Sequence, residues 1–392
     1  MQGLSPIPRP IQATDTLIVG AGPAGLATAA ELSRRAIPYR LVERGATLGS
    51  TWENLYDSLT LHTGRHMSTL PGMRYPGGTS LFPSRAEFLQ YLRQYAARHR
   101  LVVETNAEVL AVERDVDGWT ATLATGQRIR ARHLVMATGI VANPRLPELP
   151  GREAYAGRVL HAVEYRRPAE FVGRRVLVVG VGNSGGEIGS ELARAGAKVT
   201  VAVRSGAHVV PRQIGPFPAQ YLRYLVGKLP RPAQERVLGA IQRRMQRRFG
   251  PPVLPRPPHS ALDAIPLIGF HLVDCIREGL VELRLAAPVA FTPEGVRFSD
   301  GSADAYDAVI LATGYAPALK PLGGLVRVDA RGFALRSDRV TSADQPGLWF
   351  VGHNYDHTGG ITNIRHDAPL VATAIVASRR NGPAGAPVES GG

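Results

Sequence analysis

The sequence predicts an α/β fold of two dinucleotide-binding (Rossmann-like) domains, one inserted into the other. Three observations carry this. A strand, a G-x-G-x-x-G turn and a helix follow one another from Thr16, and the same order recurs from Arg174. Two apolar strands, LVMATG and VILATG, end in the same tripeptide on either side of the second run. The length agrees, since 392 residues exceed what one compact core usually holds.

The first run is TLIVGAGPAGLATAAELSRR. Leu17 to Val19 read as a short buried strand. Gly20 permits the tight turn, Gly22 lets a pyrophosphate approach the backbone, and Gly25 lets the helix pack closely on the strand. Ala21, Pro23 and Ala24 complete the loop, whose N–H groups and helix dipole hold phosphate. The next strand, YRLVE, ends in Glu43, followed by Arg44. A carboxylate there accepts hydrogen bonds from a ribose.

The second run is RRVLVVGVGNSGGEIGSELARAG. Val176 to Val179 are the strand, Gly180, Gly182 and Gly185 repeat the spacing, and Asn183 and Ser184 open the helix. The following strand ends in Arg204 where the first copy has Glu43. An acid at that place repels the extra phosphate of NADPH and an arginine attracts it. The first cradle therefore suits FAD and the second NADPH.

The ATG tripeptides place Thr138 and Gly139 beside the first cofactor, and Thr313 and Gly314 beside the second. Small residues at strand ends let the chain pass close to a bound dinucleotide. The simplest arrangement inserts the NADPH domain into the FAD domain, with two crossings at these turns. The predicted division is a disordered arm over 1–14, the first part of the FAD domain over 15–165 and the NADPH domain over 166–290. The second part of the FAD domain follows over 291–380, then a disordered tail over 381–392.

Composition narrows the function. No run of about 18 apolar residues marks a membrane span, and the N-terminus lacks the order of a signal peptide. Cys275 is the only cysteine, which excludes a disulfide framework and a dithiol redox pair and makes a cytoplasmic location the default. Cys275 itself reads as a buried apolar filler. Net charge is +14, and the segment 220–256 carries nine basic residues against Glu235 alone. Within it Val237, Leu238, Ile241 and Met245 fall near one helical face, with Arg236, Arg243, Arg244, Arg247 and Arg248 on the rest. A solvated surface helix accounts for this basic insert, and peripheral contact with an anionic membrane is the sharper reading. Nucleic acid is not expected, because the aromatics that stack bases are sparse.

Between the first ATG turn and the second cradle lies YAGRVLHAVEY, Tyr155 to Tyr165. Tyr155, Gly157, His161 and Tyr165 resemble the fingerprint F-x-G-x-x-x-H-x-x-x-F/Y of the flavin-containing monooxygenases, with Tyr155 in place of the usual Phe. The related Baeyer–Villiger fingerprint normally ends in Trp. The resemblance runs from about Asp15 to Val376 and is close to the YUCCA-type (indole-3-pyruvate) enzymes. It includes TWENLYDSLTLHT, LPGMRYP, VLVVGVGNSGGEI, VRSGAHVVPR and LATGY. It implies FAD and NADPH as cofactors, with Trp52 in the FAD site, and a C4a-(hydro)peroxyflavin protected by retained NADP+. It further implies transfer of oxygen to nitrogen or sulfur, or attack on a carbonyl in oxidative decarboxylation of a 2-oxo acid.

Two histidines are the candidate catalytic residues. Three roles fit His161: a core histidine, a general base, or a linker residue that changes contacts as the NADPH domain moves. Its place between the domains favours the last. His62, in SLTLHTGRHM, stands where many members of the resembled family have an asparagine near the reactive flavin edge. An imidazole there suits control of a peroxide's protonation, its unperturbed pKa being about 6.5. The stretch FVGHNYDHTGGITNIRHDAPLVATAIV reads as a strand end at Phe350 to Gly352 and a helix opened by Asp367 and Pro369. In the resembled family it closes over the flavin, with Gly352, Gly359 and Gly360 admitting close approach. Metal ligation by His353, Asp356, His357 and His366 is not expected, because the glycines break any helical spacing.

With no dithiol to receive electrons, dioxygen is the expected acceptor. The rivals are a Baeyer–Villiger-type enzyme, an NADPH oxidase or acceptor reductase that oxygenates nothing, and a redox-sensing dinucleotide-binding protein. IPLIGF (Ile265 to Phe270) lacks the acid of the Pro-x-x-Asp pattern usual in YUCCA-type enzymes at this point, so the substrate does not follow from the resemblance.

Overall fold

The computed structural model describes residues 11–381 apart from residues 142, 259, 261, 263, 264, 355 and 357. The predicted arm over 1–10 and tail over 382–392 lie outside the described residues, as does His357. Strand β1 (Gln12–Val19) begins inside the expected arm, because Gln12, Ala13 and Thr14 pair with Ile129 to Ala131.

The first domain follows from the first cradle. After β1 come α1 (Pro23–Ser33), β2 (Tyr39–Val42), the short α2 (Ser50–Glu53) and α3 (Arg85–Arg98). A capping box starts α3: Ser84 accepts from the Glu87 N–H while the Glu87 carboxylate accepts from the Ser84 N–H. Strands β3 (Val109–Asp115), β4 (Gly118–Leu123) and β5 (Arg128–Met136) complete the sheet in the order β2-β1-β5-β4-β3. The far end of β5 pairs in parallel with Leu348–Phe350. Ile18, Leu26, Phe88, Tyr91 and Val371 are buried together between this sheet and its helices.

The second domain begins earlier and ends later than the sequence predicts. Its sheet runs Val281–Arg284, β8 (Lys198–Ala202), β7 (Arg175–Val179), Ala308–Leu311, β6 (Arg158–His161), all parallel. Thus β6, expected in the FAD domain, is an edge strand of the second sheet. VILATG does not follow the second domain but supplies an interior strand of it. Helix α4 (Asn183–Arg194) opens at the second cradle. A three-stranded antiparallel sheet over Pro288–Ala305 also belongs here, since Phe291 and Phe298 share a core with Tyr155, Leu177 and Val309. The boundaries at 165/166 and 290/291 fail because β6 finds its partner about one domain-length later in the chain, and a four-residue strand carries no local signal of that pairing.

Between β8 and α7 (His271–Arg277) the chain leaves the sheet and forms α5 (Ala219–Val226) and α6 (Arg231–Phe249), the basic insert. The last helix, α8 (Gly360–Asn381), starts at the paired glycines. Pro369 lies inside it rather than opening it, and the missing proline N–H frees the carbonyl one turn earlier. No helix among the described residues is long and apolar enough to cross a membrane.

The two cradles are built alike. A Cβ on Gly20 would lie 2.7 Å from the Ala137 carbonyl oxygen, and one on Gly180 2.6 Å from that of Ala312. The ATG turns therefore press against the first glycine of each cradle. A Cβ on Gly25 would meet the Gly20 oxygen at 1.8 Å, and one on Gly185 the Gly180 oxygen at 2.1 Å. Gly22 and Gly182 have no neighbour within 4 Å of a Cβ, so their backbones face open space. This difference has a testable consequence. Gly25→Ala is expected to cost roughly 1–3 kcal/mol or more by overpacking. Gly22→Ala is expected to melt within a degree or two of the parent yet take up less FAD, as measured by thermal unfolding and by flavin absorbance after reconstitution.

Candidate functional site: a cleft between two cradles

A cleft of about 620 Å³ runs from the first cradle to the basic insert. Gly20, Gly22, Pro23 and Ala24 wall one end with Glu43, Arg44 and Trp52; Thr138, Gly139, Gly352, Gly359 and Gly360 also line it. Ala21 and Gly25 are buried behind this wall. Glu43 takes an N–H bond from Ala21 at 2.8 Å on one oxygen, and bonds from Gly45 and Ser50 at 2.9 Å on the other. The carboxylate expected at the ribose is thus itself held by Ala21 of the cradle, Gly45 and Ser50. Trp52 packs edge-on against Phe88 at 4.6 Å, and Thr138 donates to the Ala318 carbonyl at 2.8 Å. Open backbone at Gly22, helix N–H groups and a fixed carboxylate fit a dinucleotide, with FAD held by these residues.

The second cradle reaches the cleft through Asn183 and Ser184. The Asn183 amide is locked: it donates to Pro266 O at 3.1 Å and accepts from Ile268 N at 2.7 Å. Gly180, Gly182, Gly185, Thr313 and Gly314 stand behind the wall, and Arg204 is exposed just past β8. The open space at Gly182 matches that at Gly22, so NADPH fits here by the same physical test.

Tyr155 to Tyr165 belongs wholly to the second domain. The Tyr155 ring covers Gly157, where a Cβ would lie 2.3 Å from it, and its hydroxyl donates to Tyr306 O at 2.8 Å. His161 is 1% exposed. Its Nδ1 accepts from the Val163 N–H and its Nε2 donates to Gly314 O, both at 3.2 Å, while Tyr315 stacks edge-on at 5.0 Å. With Nδ1 accepting, the ring is neutral, and burial pushes its imidazole down. Both nitrogens of His161 are engaged, its side chain is not on the cleft wall, and its bond to Gly314 secures the second ATG turn. Tyr165 donates to Glu191 on α4 at 3.0 Å.

His62 does wall the cleft. Its Nε2 lies 2.8 Å from Glu187 Oε1, a carboxylate on α4 of the other domain. The Tyr56 hydroxyl donates to the second Glu187 oxygen. Burial alone pushes the Glu187 carboxyl up, but His62, Tyr56 and Arg212 outweigh it and hold the group below its ordinary value. Burial and the adjacent carboxylate raise the Tyr56 phenol, so it stays a donor. The segment carrying Tyr56 and His62 is clamped by guanidinium groups. Arg166 donates to Glu53 O at 3.1 Å and Leu55 O at 2.9 Å, Arg85 to Leu55 O at 3.0 Å, and Arg212 to Thr60 Oγ1 at 2.6 Å and Leu61 O at 2.7 Å. Sequence reading singled out His62 but neither Glu187 nor Arg212. The only local trace of Glu187 is an acid inside the glycine-rich helix start.

The insert supplies the far wall. Leu222 and Val226 of α5 and Leu238, Ile241 and Met245 of α6 line the cleft, with Arg236, Arg243, Arg244 and Arg247 exposed. The apolar stripe that the sequence offered to a membrane is therefore turned to the cleft. Gln220 donates to Thr358 O at 2.6 Å, tying α5 to the glycines that open α8.

Next to Gly352, His353 is 1% exposed and packs against Phe350 at 4.9 Å. Burial, and then Arg336, push its imidazole down to about 4. An unfolded histidine titrates near 6.5, so unfolding takes up a proton between these values. Stability is present in full above pH about 6.5 and falls by roughly 1.4 kcal/mol per pH unit towards pH 4. Thermal melts over this range should show the loss in the parent and a flatter profile in His353→Leu.

Comparison with known proteins gives the family. The model for pyridine nucleotide-disulphide oxidoreductase matches residues 17–226. Indole-3-pyruvate monooxygenase YUCCA1 of Oryza sativa subsp. japonica is 36% identical over 309 residues, 76% of each chain. Probable indole-3-pyruvate monooxygenase YUCCA1 of Arabidopsis thaliana is 34% identical over 312 residues, 76% of this chain and 75% of that one. The solved flavin-containing monooxygenase from Stenotrophomonas maltophilia superposes with a TM-score of 0.74 at 25% identity, over 94% of this chain and 99% of its own. With two cradles opening on one cleft and relatives matched across both, the chain belongs to the YUCCA-type flavin-containing monooxygenases and is an FAD- and NADPH-dependent monooxygenase.

Proposed function

We propose that the protein uses NADPH and dioxygen to oxygenate a small, largely apolar organic substrate held between His62 and the insert. The observation that carries this is the continuity of the cleft, from the open backbone at Gly22, past His62, to Leu238, Ile241 and Met245. Bound FAD supplies the redox chemistry, taking hydride from NADPH and activating dioxygen. One oxygen atom goes to the substrate and the other leaves as water, with one proton taken up per turnover. The chain's own residues hold the parts in order, exclude water with the apolar insert wall, and supply a proton at His62. Arg204, exposed past β8, is positioned along the chain to favour the extra phosphate of NADPH over NADH.

Substrate classes that fit are soft nitrogen or sulfur compounds and 2-oxo acids. The rice relative is named for indole-3-pyruvate, a 2-oxo acid on a flat apolar ring. Arg212 and Arg223, among the cationic groups of the cleft wall, support an anionic substrate of that general kind. A lone buried cysteine and a need for NADPH support a cytoplasmic setting.

The outward face of the insert supports a peripheral contact. Phe217 is 63% and Leu225 60% exposed, Tyr224 and Leu229 are also exposed, and Lys228 sits 4.9 Å over the Tyr224 ring. With the exposed Arg236, Arg243, Arg244 and Arg247 of α6, this surface matches an anionic bilayer.

Two measurements test these readings. Anaerobic NADPH should bleach the bound flavin, and air should restore it with little hydrogen peroxide when a substrate is present. NADH should be slower, and Arg204→Ser should narrow the gap by roughly tenfold. Failure to bleach, or stoichiometric peroxide with every amine, thioether and 2-oxo acid tried, overturns the oxygenation reading. Flotation with vesicles should show binding to phosphatidylglycerol-containing but not neutral membranes, and Phe217→Ser with Leu225→Ser should abolish it. Equal recovery with both vesicle types would remove the membrane contact.

A further inference from the structure

Glu187 lies one helical turn beyond Asn183 on α4, so the two residues share a face of that helix. Asn183 and Ser184 wall the cleft beside the second cradle, whereas Glu187 reaches across the domain boundary to His62. The two side chains are 25% (His62) and 16% (Glu187) exposed. Glu187 also lines a separate cavity of about 180 Å³, together with Ser58, Thr60, Ser190, Glu191 and Arg212. His62 is on the wall of the cleft and Glu187 on the wall of this smaller cavity, and their hydrogen bond joins the two. The charged and titratable groups around the pair are Tyr56, which donates to Glu187, Arg212 on both walls, Glu191, which is bonded by Tyr165, and Arg194 and His271 on the wall of the smaller cavity.

We infer that Glu187 is the positioning residue for His62: it fixes the imidazole with its hydrogen on Nε2, and does so only while the second domain is docked as in this structure. An ionised carboxylate accepts and does not donate, so the His62 nitrogen facing it must carry the hydrogen. In the neutral ring Nδ1 then holds the lone pair, and in the protonated ring Nδ1–H is the proton available to the cleft. The proton step balances. The Nδ1–H bond breaks, an O–H bond of the departing water forms, the ring is left neutral with Nε2–H still on Glu187, and solvent returns the proton between turnovers. Because Glu187 and Asn183 ride on one rigid helix, a displacement of the second cradle also displaces the carboxylate from His62. The proton donor is therefore complete only when the domain that binds NADPH is in register.

This inference rests on the proposed oxygenation for its catalytic consequence but not for its structural content, and the test separates the two. Nitrogen-15 spectra of the histidine rings, taken on protein carrying FAD without substrate, should show neutral His62 protonated on Nε2 in the parent. In Glu187→Gln, whose amide can donate as well as accept, that signature should give way to a mixture of tautomers. In the same variant, peroxide released per NADPH should rise by roughly tenfold or more and gain a different pH profile. Glu187→Asp, which keeps the charge on a shorter side chain, should fall between the two and serves if Glu187→Gln does not fold. An unchanged tautomer signature in Glu187→Gln overturns the inference. So does an unchanged peroxide yield with a parent-like pH profile. A parent enzyme that never couples NADPH to oxygenation would defeat the proposed function while leaving the spectra to decide the role of Glu187.

Discussion

The close approach of backbone to backbone at Gly20–Gly25 and Gly180–Gly185 is the constraint on which the rest of the molecule depends. Each cradle helix lies so near its strand that a single methyl group would overlap a carbonyl oxygen. The ATG strand presses on the same turn from the other side, against Gly20 in one domain and Gly180 in the other. Helix N-termini are thereby aimed at open space beside Gly22 and Gly182, and a dinucleotide's phosphates have somewhere to sit. Burial of the apolar strands then follows, since a parallel strand covered on both faces can tolerate little but Val, Ile and Leu.

How the two cradles face each other is decided by a short loop. Residues 53–62 belong to the first domain by chain order, yet Tyr56 packs into the core of the second. Arg85 binds the loop from its own domain, and Arg166 and Arg212 bind it from the other. A planar guanidinium with several donors suits the capture of consecutive carbonyls, which a lysine ammonium does less well. The abundance of arginine in this chain is in part put to use here. The same loop delivers His62 to the cleft, so domain orientation and site chemistry share one set of hydrogen bonds.

The insert shows how one helix serves two surfaces. The apolar side of α6 closes the cleft while Arg236, Arg243, Arg244 and Arg247 remain exposed. The position of α5 is tied to the flavin end by Gln220, whose bond to Thr358 links the wall of the cleft to the start of α8.

The sequence by itself determined both cradles, the different charges at Glu43 and Arg204, and the short strands that end in ATG, because these features act between residues that are near neighbours along the chain. The place of β6 and of Ala308–Leu311 in one sheet was not legible, since strands of four residues carry no mark of a partner far away. The Val163 N–H and the Gly314 carbonyl on the two nitrogens of His161 likewise leave no mark in the sequence. The bond between His62 and Glu187, 125 residues apart, and the apolar face of the insert on the cleft belong to the tertiary structure alone. A hydrogen bond or a cavity wall depends on where two folded surfaces meet, and periodicity records only that a residue faces inward, not what it faces.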